Sequence, residues 1–128
     1  MTPWKILVID DDPDIRRIAA LALERLGGFR VELAGGADEA LELIAKELPD
    51  VVLLDVSMPG RDGPATLLAI REVPGAERIP VVFFTATSSE EEAERLCALG
   101  ALGVVPKPFD LADLPRRIRD MVDRSGLH

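Results

Sequence analysis

Five short apolar runs alternate along the chain with segments of helical periodicity, and this rhythm restricts the fold more than any other feature of the sequence. The runs cover residues 6–9, 29–33, 51–54, 81–84 and 102–105. Strands that alternate with helices predict βα units around a parallel sheet. We therefore predict an α/β fold with one doubly wound, five-stranded parallel sheet and five helices.

The second run differs from the other four in its pattern. The other runs are almost continuously apolar, which is expected of strands that helices cover on both faces. In residues 29–33, Arg30 and Glu32 alternate with apolar residues, so one face of this strand is predicted to be wetter. We therefore place the second strand at an edge of the sheet.

Two of the predicted helices have clear apolar stripes. The stripe of the first consists of Ile15, Ile18, Ala19, Ala22 and Leu26, and that of the second of Ala37, Ala40, Leu41, Ile44, Ala45 and Leu48. Both helices are predicted to pack on the sheet.

The remaining helices are predicted from their boundaries. We place the third at about 65–72 and the fifth at about 111–123, where Pro115 favours a late start near Asp113. Ser88 or Ser89, followed three residues later by Glu91 or Glu92, forms a capping box that predicts the start of the fourth helix. Its inward residues would be Ala93, Leu96 and Cys97.

Composition limits the class of protein. The chain has 128 residues, 48% of them apolar and 30% charged, which is typical of one soluble domain over 1–128. The formal net charge of -8 argues against direct nucleic-acid binding, which depends on Lys and Arg. No apolar run approaches the roughly 20 residues that span a bilayer, and the N-terminus lacks a secretory signal. We therefore expect a cytoplasmic domain that binds proteins and cations, not membranes.

Polar residues stand where four of the predicted strands end. The first strand leads into Asp10-Asp11-Asp12, the third into Asp55 and the fourth into Thr85, and Lys107 closely follows the fifth. Ligands of open parallel sheets bind outside the carboxyl ends of the strands. We therefore predict that these side chains form one site.

The acidic residues predict a metal. Asp12 precedes Pro13 and is interpreted as a helix cap, so it is left out of the site. Adjacent carboxylates resist full ionisation without a cation, and oxygen ligands suit Mg²⁺, so Asp10, Asp11 and Asp55 are candidate ligands.

The same residues indicate phosphoryl transfer. The Asp55 carboxylate would attack phosphorus, while Mg²⁺, the Lys107 ammonium and the Thr85 hydroxyl each stabilise one phosphoryl oxygen.

Four segments, in this order, resemble the receiver family of two-component signalling. The first is Asp10-Asp11-Asp12-Pro13, and the second is Asp55 followed by Pro59-Gly60 and Gly63. The third is Thr85-Ala86, and the fourth is Lys107-Pro108-Phe109. The resemblance covers nearly the whole chain and implies a flavodoxin-like sheet with strand order 2-1-3-4-5.

The resemblance also implies roles for individual residues. Asp11 would bind Mg²⁺ directly, Asp10 through water, and Ser57 through its backbone carbonyl. Asp55 would be both a ligand and the phosphoacceptor. The Lys107-Pro108 bond would be cis.

Partners follow from the same resemblance. A sensor histidine kinase or phosphotransfer protein would supply the phosphoryl group, and the signal would pass to an unknown downstream protein, with a homodimer left open. The domain would catalyse only its own phosphorylation and dephosphorylation. Without an effector domain after the fifth helix, the output is expected to be a contact made by the receiver itself, unless the chain is the front of a longer protein.

One departure keeps an alternative open. The chain has no tyrosine, and Val104 stands where the family often has an aromatic switch residue. The runner-up is therefore a receiver-like interaction module that works without phosphorylation.

A hydrolase with an aspartyl nucleophile is disfavoured because Ser57, not an acid, stands two residues after Asp55. A flavin or nucleotide module is disfavoured because acids follow the first strand where a phosphate cradle needs glycine or hydroxyl residues.

Overall fold

The computed structural model describes residues 3–86, 89–107 and 109–125, which form one five-stranded sheet with helices on both faces. The strands are β1 Lys5–Ile9, β2 Arg30–Ala34, β3 Val51–Asp55, β4 Val81–Thr85 and β5 Gly103–Pro106. Every neighbouring pair is parallel, and the order is β2-β1-β3-β4-β5. The predicted α/β class and strand order are confirmed, and β2 lies at an edge.

In the part of the chain that the structure describes, five helices connect or follow the strands. They are α1 Pro13–Leu21, α2 Ala37–Lys46, α3 Gly63–Arg71, α4 Glu90–Ala98 and α5 Leu114–Ser125. A π-helical turn, Ala22–Leu26, continues α1. Within the described ranges, no helix combines the length and the apolar character that crossing a membrane requires.

The core has two layers because successive strand residues point to opposite faces of the sheet. On one face, Leu7, Leu54 and Phe83 pack with Leu67 of α3 and Leu96 of α4. On the other face, Ile6, Val8, Leu53 and Phe84 pack with Ala19 of α1 and with Leu114, Ile118 and Val122 of α5. The nearly continuous apolar strands are therefore explained by helices on both sides.

The stripe predicted for the first helix is only partly correct. Ala19 and Ala22 are buried, but Ile18 and Leu26 are exposed, Leu26 by 61%. Leu26 ends the π-helical turn, whose wider repeat turns it away from the inward face that Ala19, Ala22 and Leu23 share.

Two further predictions need correction. The fifth helix was predicted at about 111–123, but α5 is Leu114–Ser125, which places Pro115 in its first turn, where a missing N–H costs no helical hydrogen bond. The late start indicated by Pro115 is therefore confirmed. Cys97 is exposed, because Leu96 occupies the inward face of α4 and the neighbouring position points away.

Candidate functional site

The carboxyl ends of four strands bring together the predicted site residues. Asp10 directly follows β1, Asp55 ends β3, Thr85 ends β4, and Lys107 directly follows β5. Asp10 is 1% and Asp55 5% exposed, and Thr85 is also buried. The parallel register of the sheet aligns these strand ends at one edge, which explains why residues so distant in sequence meet.

Asp10 is held by hydrogen bonds with the end of β2 and with the start of α1. Its N–H donates to the carbonyl of Ala34 at 3.1 Å, and its Oδ1 accepts from the N–H of Asp12 at 2.8 Å. Arg16 Nη1 donates to the carbonyl oxygen of Asp10 at 2.6 Å. Arg16 is a contact that sequence reasoning missed, since only the docking of α1 brings it there.

Asp12 is the helix cap that the sequence predicts. Its Oδ1 accepts from the N–H of Asp14 at 2.9 Å, and Pro13 occupies the first helical position. This hydrogen bond satisfies a backbone N–H at the start of α1. The predicted capping role of Asp12 is therefore confirmed.

Lys107 bridges the two buried carboxylates. Its Nζ donates to Oδ2 of Asp10 at 2.9 Å and to Oδ1 of Asp55 at 3.1 Å. The ammonium also lies 4.5 Å from the centre of the Phe84 ring, and the Lys107 N–H donates to the carbonyl of Thr85 at 2.7 Å. The lysine is thus held in place at both its backbone and its charged end.

Burial and charge shift two pKa values in the site. Burial raises the pKa of Asp55, the Lys107 hydrogen bond partly offsets this, and the Asp10 carboxylate raises it further. Burial alone would lower the pKa of Lys107, but hydrogen bonds to Asp10 and Asp55 and their charges outweigh it, so the net pKa is raised. The lysine therefore stays cationic at neutral pH.

Three carboxylates are close enough to share a cation. One oxygen from each of Asp10, Asp11 and Asp55 lies within 4.8 Å of the others. Two of these residues are buried and Asp11 is exposed, so one side of the cluster faces solvent. Hard oxygen donors with access to water fit Mg²⁺, which keeps several waters when a protein binds it.

The loop between β3 and α3 passes very close to Asp55. The N–H of Ser57 donates to Oδ1 of Asp55 at 3.4 Å, and the N–H of Gly63 donates to the carbonyl of Val56 at 2.8 Å. A β-carbon at position 63 would lie 2.5 Å from the Asp55 carbonyl oxygen and 2.8 Å from the Val56 α-carbon. Only glycine fits this approach, which gives a physical reason for Gly63 in the motif.

An open cavity of about 850 Å³ leads to the site. Its described lining comprises Asp55, Val56, Ser57, Thr85, Ala86, Ser89, Glu91, Glu92, Arg95 and Lys107. The first turn of α4 thus forms one wall, with Ser89 as its cap, accepting from the N–H of Glu92 at 3.4 Å. The capping box is therefore placed at Ser89; its alternative, Ser88, lies outside the described residues.

The predicted cis bond between Lys107 and Pro108 involves Pro108, which lies outside the described residues. Val104 is half-buried and packs against the core face that contains Phe83 and Leu96.

The fold and the site define a class of protein. The chain belongs to the response regulator receiver domain family, whose model matches residues 6–119. Its sequence is 38% identical over 123 residues to the response regulator MprA of Mycolicibacterium vanbaalenii, covering 96% of this chain and 52% of MprA. The chain therefore spans about half the length of that relative.

This chain matches two other relatives over most of their length. An uncharacterised 14.6 kDa protein of Leptolyngbya boryana is 38% identical over 114 residues, which cover 89% of this chain and 86% of that protein. The structure of the chemotaxis response regulator CheY4 of Vibrio cholerae aligns with a TM-score of 0.87 and 31% identity, covering 94% of this chain and 99% of CheY4.

Proposed function

We propose that this receiver domain is activated by phosphorylation and accepts a phosphoryl group on Asp55 with the help of Mg²⁺. The observation that carries the proposal is the Lys107 ammonium, which bridges the buried carboxylates of Asp10 and Asp55 at 2.9 and 3.1 Å. Asp55 and Lys107 line a cavity and have raised pKa values, and titratable groups that are perturbed in this way are typical of functional sites.

Asp10, Asp11 and Asp55 would hold the metal, with the carbonyl of Ser57 as a backbone ligand. The grouping of three carboxylate oxygens within 4.8 Å supports this assignment. When bound, Mg²⁺ would neutralise carboxylate charge and stabilise a phosphoryl oxygen. The family resemblance supports Asp11 as the residue that would bind the metal directly and Asp10 as one that would bind it through water.

The transfer needs little beyond positioning and charge. As the bond from Asp55 to phosphorus forms, the bond from phosphorus to the donor's leaving atom breaks. Lys107 would bind one phosphoryl oxygen with its ammonium, and Thr85 another with its hydroxyl. Neither residue has to transfer a proton, so we assign both to stabilisation of the phosphoryl group.

The proposed partners are proteins. A sensor histidine kinase or a phosphotransfer protein would donate the phosphoryl group, and a downstream protein would read the phosphorylated surface. The family membership supports the first partner, and MprA and CheY4 are both named as response regulators. We also assign the domain to the cytoplasm, where such kinases present their phosphoryl groups.

A second function is favoured by one observation. Val104 packs against the core at the position where relatives often carry an aromatic switch residue. The domain would then be a phosphorylation-independent interaction module with the receiver shape.

Intact-mass measurement with acetyl phosphate and Mg²⁺ separates the two functions. The wild-type protein should gain the mass of one phosphoryl group, and Asp55→Asn should gain none. Asp62→Asn is the matched control, because Asp62 lies in the same loop and caps α3, a role that asparagine also performs. It should be modified like the wild type. A wild-type protein that stays unmodified supports the interaction module instead.

A further inference from the structure

A second cation, Arg95, lines the same cavity as Lys107. We propose that Arg95 positions phosphoryl donors whose leaving group is anionic, and that its ion pair with Glu92 restrains it. The inference rests on the proposed phosphorylation of Asp55 and names the class of small donor that this site favours.

The position of the pair supports this role. Arg95 and Glu92 lie on α4 and line the cavity that holds Asp55 and Lys107. They also line an adjoining groove of about 590 Å³, opposite Val56 and Ser57 of the β3–α3 loop. Among the described residues that line the cavity, the cations are Lys107 and Arg95. A donor that binds in this cavity therefore shares it with both cations.

The two cations differ in how firmly they are held. Lys107 is committed to two buried carboxylates within the site. The Arg95 side chain is 70% exposed, and its partner, Glu92, is three residues earlier on the same helix. The Glu92 side chain is 19% exposed, but the guanidinium that it binds lies largely in solvent, where an ion pair contributes little free energy, so the guanidinium can exchange Glu92 for an anion on a bound donor.

The chemistry of two small donors tests the proposal. With acetyl phosphate, the bond from phosphorus to the acetyl oxygen breaks, and its electron pair leaves on acetate. With phosphoramidate, nitrogen leaves as neutral ammonia with the proton it already carries. In both cases the new bond joins phosphorus to Asp55. A guanidinium binds a carboxylate in two parallel hydrogen bonds, so Arg95 assists only the acetate leaving group.

The experiment measures the second-order rate constant of adduct formation with each donor at saturating Mg²⁺. Arg95→Ala should lower the acetyl phosphate rate constant about three- to tenfold, the scale of one partly exposed charge-assisted contact. Its phosphoramidate rate constant should stay within about twofold of the wild type. Arg95→Lys should recover part of the lost rate, and Glu92→Gln should raise the acetyl phosphate rate by freeing the guanidinium.

Arg116→Ala is the matched control. Arg116 also pairs with an acid three residues earlier, Asp113, and is similarly exposed, but it lies on α5 and does not line the cavity. If Arg95→Ala and Arg116→Ala lower the acetyl phosphate rate constant equally, the effect reflects net charge alone and the proposal is overturned. An Arg95→Ala loss that is the same for acetyl phosphate and phosphoramidate also overturns it. If the wild type forms no adduct with either donor, the proposed phosphorylation fails and this inference fails with it.

Discussion

Gly63 and Asp55 are in such close backbone contact that a β-carbon at position 63 would lie 2.5 Å from the Asp55 carbonyl oxygen. The contact joins the first residue of α3 to the last residue of β3, so it fixes the loop beside the proposed phosphoacceptor. A substitution at Gly63 must therefore move either the loop or the strand end.

We expect Gly63→Ser to lower the free energy of unfolding by about 1–3 kcal/mol, the usual cost of forcing extra atoms into a packed region. Gly36→Ser is the matched control, because a β-carbon there meets nothing within 4 Å and the backbone is extended. It should change stability by about 0.5 kcal/mol or less. Urea denaturation measures both variants, and equal stability of the two would show that the contact relaxes freely.

The second prediction concerns Mg²⁺. Asp11→Asn or Asp55→Asn should each abolish measurable Mg²⁺ binding in the absence of phosphate, because the proposed site depends on three clustered carboxylates. Asp12→Asn removes the same charge from the same run but keeps a capping side chain, so it should retain most of the affinity. Isothermal titration calorimetry compares the three. Unchanged affinity in Asp11→Asn would contradict the ligand assignment.

The third prediction concerns pH and the opposite end of the sheet. Lys5 is 5% exposed, and its Nζ lies 2.8 Å from Glu32 and 2.6 Å from Glu47. Burial lowers the pKa of Lys5, but these two partners outweigh burial and raise it above its ordinary 10.5. The Lys5 hydrogen bond in turn lowers the pKa of Glu47 below its ordinary 4.5.

The sign of each effect follows from these directions. A raised lysine pKa contributes stability that is present below pH 10.5 and is lost as pH rises through the folded value. A lowered glutamate pKa contributes stability that is present above pH 4.5 and is lost as pH falls through the folded value. Lys5→Met should therefore reduce the loss of folding stability at both acidic and alkaline pH. Lys46→Met, at an exposed lysine, should leave the pH dependence of stability at both extremes as in the wild type. An identical pH dependence in the wild type, Lys5→Met and Lys46→Met would refute the linkage.

The sheet and most of the site were predictable from sequence because both depend on local patterns. Apolar runs mark buried strands, and in a parallel sheet the residues that end those strands must meet at one edge. The contacts of Arg16 with Asp10 and of Gly63 with Asp55 were not predictable in the same way. They depend on how α1 and the β3–α3 loop pack, which no local pattern specifies. The exposure of Leu26 was missed for a related reason, since the π-helical turn interrupts the helical repeat.

The last prediction concerns the switch and depends on the proposed phosphorylation of Asp55. Thr85 ends β4 beside Asp55, and the segment after it leads to the cap of α4 at Ser89. Phosphorylation should draw the Thr85 hydroxyl towards a phosphoryl oxygen and reshape the loop 86–89, of which residues 87 and 88 lie outside the described residues. Val104 is short and stiff about χ1, so the signal should pass through the segment and α4 rather than through a ring flip.

A modification shifts an equilibrium only by its differential interaction with the two states, and the Thr85 hydroxyl supplies part of that difference. Thr85→Ala should therefore still accept the phosphoryl group but lose most of the response, whereas Thr85→Ser, which keeps the hydroxyl, should retain it. Amide chemical shifts with and without beryllofluoride, a mimic of the phosphoryl group, measure the response over residues 89–105. If Thr85→Ala shows the wild-type changes there, or if the wild-type changes stay within the acidic cluster, the switch works by another route.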